Sequence, residues 1–297
     1  VKDDNNCQTT AGPVTITEPT AVSATMGVPT MVLCNGGSDG SVTVSGSGGT
    51  VAGDYTYLWS NGQTTATATG LVAGSYTVTV KDDNNCSTSA GPITITEVTP
   101  VSGTIGVPTM VFCNGGSDGS VTVTGSGGTV AGDYTYLWSD GQTTATATGL
   151  VAGSYTVTVK DDNNCQTTAG PVTITEPNAV SASMGAPTMI TCNGDANGTV
   201  TVTGSGGTVA GDYTYTWSDG QTTATATGLV AGDYTVTVKD DNNCQTIAGP
   251  VTITEPNILS QNNTTNDVSC NGGSDGSIDI VVTGLSLIHI SEPTRHD

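Results

Sequence analysis

The clearest signal in the chain is strict alternation of apolar and polar positions. In Ser75-Tyr76-Thr77-Val78-Thr79-Val80, Tyr76, Val78 and Val80 fall on one face and the threonines on the other, the period of a half-buried β-strand. Tyr55, Tyr57 and Trp59 share a face in the same way, with Thr56, Leu58 and Ser60 on the opposite, wet face. Asn61-Gly62 follows, replaced by Asp140-Gly141 and Asp219-Gly220 further along. Such a pair between alternating strands predicts a type I′ hairpin, here with Thr64 to Leu71 as the partner strand. Further strands are expected at Ser41 to Ser45, near Ala21 to Thr25, and at Val14 to Thr17 with its equivalents. That makes about six or seven short strands per unit, the spacing of an immunoglobulin-like sandwich.

The pattern repeats. Lys-Asp-Asp-Asn-Asn-Cys begins at Lys2, Lys81, Lys160 and Lys239, each 79 residues after the last, and Trp59, Trp138 and Trp217 keep the same step. Such a unit is too long for a leucine-rich or ankyrin repeat and suits a small sandwich domain. The expected architecture is all-β: tandem immunoglobulin-like β-sandwich domains, three full copies with partial copies at both ends. The boundaries read as 1–18 for the end of a preceding repeat, 19–97, 98–176 and 177–255 for the full copies, and 256–284 for the start of another. Pro19, Pro100, Pro177 and Pro256 stiffen the short junctions, so a semi-rigid array is expected. Residues 285–297 break the pattern and hold the only Arg, Arg295, and both histidines, His289 and His296. They read as adapter-derived or frame-shifted sequence and are set aside.

Composition changes the picture in two ways. Of 297 residues only 5 are Lys or Arg against 26 Asp or Glu, for a net charge of −21. This excludes nucleic acid as a partner and leaves no basic patch for anionic lipid; no apolar run of membrane-spanning length occurs either. Residues 1–284 also lack His and Arg, removing the commonest general base and the usual anion clamp. Gly46-Ser47-Gly48-Gly49 lacks the Lys of a phosphate-binding loop, and the Thr-rich stretch from Thr64 to Thr69 reads as a solvated strand face. The expectation is no enzyme.

Eight cysteines remain, at 7, 34, 86, 113, 165, 192, 244 and 270. Two fall in each copy, 52 residues apart, and the expected pairing is within the copy: Cys34–Cys86, Cys113–Cys165 and Cys192–Cys244. Bridges between neighbouring copies, such as Cys7 to Cys34, are the alternative. No CxxC spacing supports zinc, and structural disulfides imply an oxidising, extracytoplasmic setting. The other candidate chemistry is Ca²⁺ binding, because Asp82, Asp83, Asp161, Asp162, Asp240 and Asp241, together with Asp39 and Asp118, gather the oxygen ligands that hard cations take. Asp and Asn are equally the residues of tight turns.

One ordered string gathers these features: Cys-Asn-Gly-Gly-Ser-Asp-Gly-Ser-Val-Thr-Val from Cys34, Tyr-Thr-Tyr-Leu-Trp-Ser-Asn-Gly from Tyr55, Gly-Leu-Val-Ala-Gly-Ser-Tyr-Thr-Val-Thr-Val-Lys-Asp from Gly70, then Cys86 and Ile93-Thr94-Ile95-Thr96-Glu97. It closely resembles the SprB-type repeat of very large cell-surface proteins of Bacteroidetes, gliding-motility adhesins among them. The resemblance covers all three copies and both fragments. It implies export by the type IX route, display at the cell surface, and contact with extracellular polysaccharide or abiotic surfaces, and it brings no catalytic residues. Two functions follow as expectations: a non-catalytic stalk or spacer of an adhesin, whose partners within the chain are its neighbouring repeats, or a multivalent, calcium-dependent polysaccharide-binding array.

Overall fold

The computed structural model describes residues 1–284; the expectation for 285–297 lies outside the described residues. The first sandwich has six strands: β1 (Ser23–Met26), β2 (Gly40–Ser47), β3 (Thr56–Trp59), β4 (Thr67–Leu71), β5 (Gly74–Lys81) and β6 (Ser87–Ile95). They form two antiparallel three-stranded sheets, β1-β2-β4 and β3-β5-β6. The same six elements and the same two sheets recur from Ser102–Ile105 to Gln166–Ile174 and from Ser181–Met184 to Gln245–Ile253. This is the immunoglobulin-like arrangement, in which the second strand pairs with the first and with the later edge strand while the third, fifth and sixth form the facing sheet. A two-stranded hairpin, Ser260–Asn266 with Ser277–Thr283, follows, and the segment before Thr20 is exposed.

By packing, the described residues divide into two compact units, one of residues 1–107, 122–147 and 155–172, the other of 108–121, 148–154 and 173–284. The first copy falls wholly in one unit, the third in the other, and the middle copy's strands are shared out.

Alternation explains the core. Val42 and Val44 from β2 and Tyr76, Val78 and Val80 from β5 are buried, and their neighbours along each strand are not. The two inward faces interdigitate around Trp59, Leu71 and Ile95, and each such side chain contributes about 1.5–3 kcal/mol by leaving water. The third copy repeats the set as Val200, Val202, Trp217, Leu229, Val236, Val238 and Ile253. Leu58 stays 53 % exposed, the wet position where the third copy carries Thr216.

Two polar ties complete this core. The Trp59 indole N–H donates to the Thr65 carbonyl at 2.8 Å, and the Tyr76 hydroxyl donates back to the Val72 carbonyl at 3.0 Å, the corner bond of immunoglobulin-like sandwiches at the start of this strand. Trp217 to Thr223 and Tyr234 to Val230 repeat them at 2.9 and 3.0 Å.

The Asn61-Gly62 turn forms, but not as the expected hairpin. Gly62 N–H donates to Trp59 and Trp59 N–H to Gln63, both at 2.9 Å. Gly62 alone in the turn has positive φ, at 86°, whereas a type I′ turn needs two such residues. The chain then leaves β3: Ala66 accepts from Val44 at 2.9 Å, so β4 pairs with β2 while β3 pairs with β5. The turn is therefore a crossover between sheets.

Candidate functional site

Each copy carries a carboxylate-bearing loop at either end of the sandwich, and one cysteine sits in each loop. At one end lies the loop Asp82-Asp83-Asn84-Asn85-Cys86, between β5 and β6. Asp82 N–H donates to the Cys86 carbonyl and Asn85 N–H to the Asp82 carbonyl, both at 3.0 Å, with Asn85 in the left-handed region at φ 65°. The Asp82 carboxylate, 4 % exposed, accepts from the backbone N–H groups of Asn84 at 3.0 Å, Cys86 at 2.8 Å and Thr50 at 2.9 Å. The Thr50 bond first, helped by those of Cys86 and Asn84 against the effect of burial, lowers the Asp82 pKa from the usual carboxylate value. Gly49 makes room for this carboxylate: its φ is 70°, and a Cβ there would come 2.5 Å from the Asp82 Oδ2. Asp161 and Asp240 hold the corresponding loops with the same three types of bond, to Thr129, Asn163 and Cys165 and to Thr208, Asn242 and Cys244.

At the other end lies the loop from Leu33 to Asp39, which carries Cys34. Asp39 accepts from Leu33 N–H at 3.2 Å, and Gly37 N–H donates to the Cys34 carbonyl at 2.9 Å. The loop is tied to the far end of β6. Gly36 N–H donates to the Glu97 carboxylate at 2.6 Å, and Asn35 Nδ2 to the Val98 carbonyl at 3.2 Å. In the second copy Asn114 Nδ2 and Gly115 N–H donate to Glu176, and in the third Gly194 N–H donates to Glu255 while Asn193 Nδ2 donates to the Pro256 carbonyl, repeating the tie. The junction residues are thus held against the cysteine loop by directed hydrogen bonds.

This geometry corrects the cysteine pairing. The structure contains Cys34–Cys165 and Cys113–Cys244, each with Cα atoms 5.5 Å apart and 131 residues between partners. The pairs Cys34–Cys86, Cys113–Cys165 and Cys192–Cys244 do not form. Cys86 immediately precedes the nine-residue β6, and Cys34 sits beside Glu97 just past its end. Nine extended residues span about 30 Å, whereas a bridge needs Cα atoms within roughly 7 Å. Across the junction the distance closes. The Cys34 loop holds Val98, and Val101, three residues on, packs beside Gly128 and Asp161, where the loop bearing Cys165 begins. Each bridge therefore joins the first cysteine of one copy to the second cysteine of the next. The neighbouring-copy alternative Cys7 to Cys34 has the opposite sense, and Cys7, Cys86, Cys192 and Cys270 are free and exposed among the described residues.

The two bridges share their surroundings. Cys165 Sγ lies 3.4 Å from the Leu33 carbonyl oxygen, and Cys244 Sγ lies 3.4 Å from that of Phe112. Asn242 Nδ2 also donates to the Phe112 carbonyl at 3.1 Å. Cys165 is buried and Cys244 half-buried, whereas Cys86 on the same loop of the first copy is exposed.

The eight Ca²⁺ candidates sort between the two ends. Asp82, Asp161 and Asp240 are held by backbone N–H groups as described. Asp83, Asp162 and Asp241 accept from Ala52, Ala131 and Ala210 at 2.5 to 2.6 Å. Asp39 and Asp118 sit at the opposite end, accepting from Leu33 and Phe112. Asn197 does the same for Thr191 in the third copy at 3.3 Å, so this turn does not need a charge. Among the described residues no three His, Cys, Asp or Glu side chains converge as a metal site. Sequence reasoning missed Glu97, Glu176 and Glu255, which stand at the junctions it marked and cap the cysteine loops.

Fold and bridges together define a tandem array of small immunoglobulin-like sandwiches in which successive copies are covalently stapled. The model of the SprB repeat matches four times, at residues 27–64, 105–143, 185–222 and 262–287, so the array is built of SprB repeats. No curated protein sequence matched the chain. Solved structures similar to it include the three N-terminal domains of the Highly Immunogenic Outer Capsid protein of bacteriophage RB49, 16 % identical, covering 79 % of this chain and 97 % of that one at a TM-score of 0.34. The eight N-terminal Ig domains of Down Syndrome Cell Adhesion Molecule are 11 % identical over 86 % of this chain and 38 % of that one, at a TM-score of 0.30. A tetra-tandem repeat in the extending region of a large adhesion protein is 18 % identical over 89 % of this chain and 88 % of that one, at a TM-score of 0.22.

Proposed function

We propose that this chain is a non-catalytic repeat stalk of a large, secreted cell-surface adhesin, holding other parts of that protein away from the cell in surface attachment or gliding. The observation that carries the reading is the stapling of successive copies through Cys34–Cys165 and Cys113–Cys244. A bridge inside a domain stabilises that domain; a bridge between domains fixes one to the next, which is what a spacer requires. Disulfides at these positions also suit an oxidising setting outside the cytoplasm, and the SprB match fits a surface protein.

The polysaccharide-binding alternative needs exposed aromatic faces on which sugar rings can stack. Trp59, Trp138 and Trp217 are each 2 % exposed, and Tyr76, Tyr155 and Tyr234 are buried as well, so most of the aromatic surface belongs to the cores.

Protease treatment of intact cells that make the full-length protein tests the display. Release of repeat peptides without lysis is expected; repeat peptides found only after lysis would contradict it. Deleting the three copies while keeping the rest of the reading frame should weaken attachment of cells to a surface while the isolated remainder keeps its ligand affinity. Loss of that affinity would assign recognition to the repeats.

A further inference from the structure

The two bridges overlap along the chain: Cys113 lies inside the loop closed by Cys34–Cys165, and Cys165 lies inside the loop closed by Cys113–Cys244. They therefore create two sulfur nodes joined by three chain segments in parallel, 34 to 113, 113 to 165 and 165 to 244. Two of these hold 79 residues, and the middle one holds 165 − 113 = 52.

We infer that this topology makes the array a length-limited tether whose limit is set by its disulfides. Pulled from its ends with every sandwich unfolded, the chain stops at the shortest segment between the nodes. At roughly 3.5 Å per extended residue, 52 residues reach about 180 Å, whereas the 244 − 34 = 210 residues between the outer cysteines reach about 730 Å once the bridges are gone. In a fully stretched, oxidised chain the tension crosses from Cys34 to Cys165, runs backward through the middle copy to Cys113, and crosses again to Cys244.

Individual unfolding events are muted too. In the first copy the only residues outside the stapled loop are those before Cys34. From Ser23 to Cys34 they run from one end of the sandwich to the other, about 30 Å by the length of the nine-residue β6. Fully stretched, these 34 − 23 = 11 residues reach about 40 Å, so losing this sandwich lengthens a loaded chain by only about 10 Å. With the bridges reduced, the 95 − 23 = 72 residues from β1 to β6 would add about 220 Å after subtracting the folded span. The covalent change is reduction of each disulfide by a dithiol, which supplies two electrons and two protons and leaves as its own cyclic disulfide. This tether is a property of the repeats themselves and stands whether or not they carry an adhesin.

Single-molecule force spectroscopy on the full chain, with the free thiols first blocked by alkylation, tests it. The oxidised chain should show short early events and a fully stretched length between Cys34 and Cys244 about fourfold shorter than after dithiothreitol, where three steps of about 220 Å are expected. Cys113→Ser keeps one node and should stop at 244 − 165 = 79 residues, about 280 Å. Three full-length steps from the oxidised chain, or a C113S trace identical to wild type, would overturn the inference; failure of the surface-display experiment would leave it untouched.

Discussion

The core of each sandwich and the loops at its two ends are held by different chemistry and answer to different neighbours. In the core, Trp59, Val78, Val80 and Ile95 bury against residues of their own copy. At the ends, Asp82 and Glu97 fold their loops locally, but the fate of the cysteine each loop presents is decided by the adjacent copy. The loops of Cys86 and Cys165 share the same carboxylate bonds, yet one thiol is free and the other is bridged. Local sequence therefore builds the connector, and its partner lies one copy away.

Perturbations of the ends and of the core should separate on that basis. The largest effect is expected from Cys34→Ser combined with Cys113→Ser. Each bridge closes a loop across 131 residues, worth up to about 5 kcal/mol on the chain-entropy model. Denaturant titration should show one coupled transition in the oxidised wild type splitting into separate transitions in the variant, with each copy still folding; loss of β-structure would mean the bridges are required within domains. Trp217→Ala should cost about 3–5 kcal/mol through a cavity confined to the third copy. Hydrogen exchange on the reduced protein should show protection lost between Ser181 and Ile253 and kept between Ser23 and Ile95.

Asp240→Ala removes the acceptor for the Thr208, Asn242 and Cys244 N–H groups and should cost about 1–3 kcal/mol, with slower closure of Cys113–Cys244 in oxidative refolding. The pH dependence of the first copy sharpens the same point. Because the folded pKa of Asp82 is lowered from 3.8, its contribution is complete above the unfolded value and is lost as pH falls through the lower folded one. Acid titration of thermal stability should show that loss in the wild type and not in Asp82→Asn. Leu58→Thr, on the wet face where the third copy already has Thr216, should change stability by less than about 0.5 kcal/mol.

The core was legible in the sequence because alternation is a local code: Tyr76, Val78 and Val80 declare their face within six residues. The turn at Asn61-Gly62 was legible, but its partner was not, since a Gly with positive φ ends β3 equally well before a hairpin or before a crossing to the other sheet. The cysteine pairing was hidden for a geometric reason. Spacing of 52 residues says nothing about which end of a sandwich each thiol occupies, and only the position of β6 between Cys86 and Glu97 shows that they lie about 30 Å apart. The carboxylates beside the thiols carried the dual meaning of turn and cation ligand, and the backbone hydrogen bonds of Asp82 and Asp83 supply the turn half of it.

The pairing across copies can be read from one digest. Cleavage after Lys81, Lys160 and Lys239 under non-reducing conditions, with free thiols alkylated, yields the fragments 3–81, 82–160, 161–239 and 240–297, since Lys2 releases only a dipeptide. Bridges Cys34–Cys165 and Cys113–Cys244 predict two separate cross-linked pairs, 3–81 with 161–239 and 82–160 with 240–297. A single species holding all four fragments, as bridges inside each copy would produce, would contradict the account.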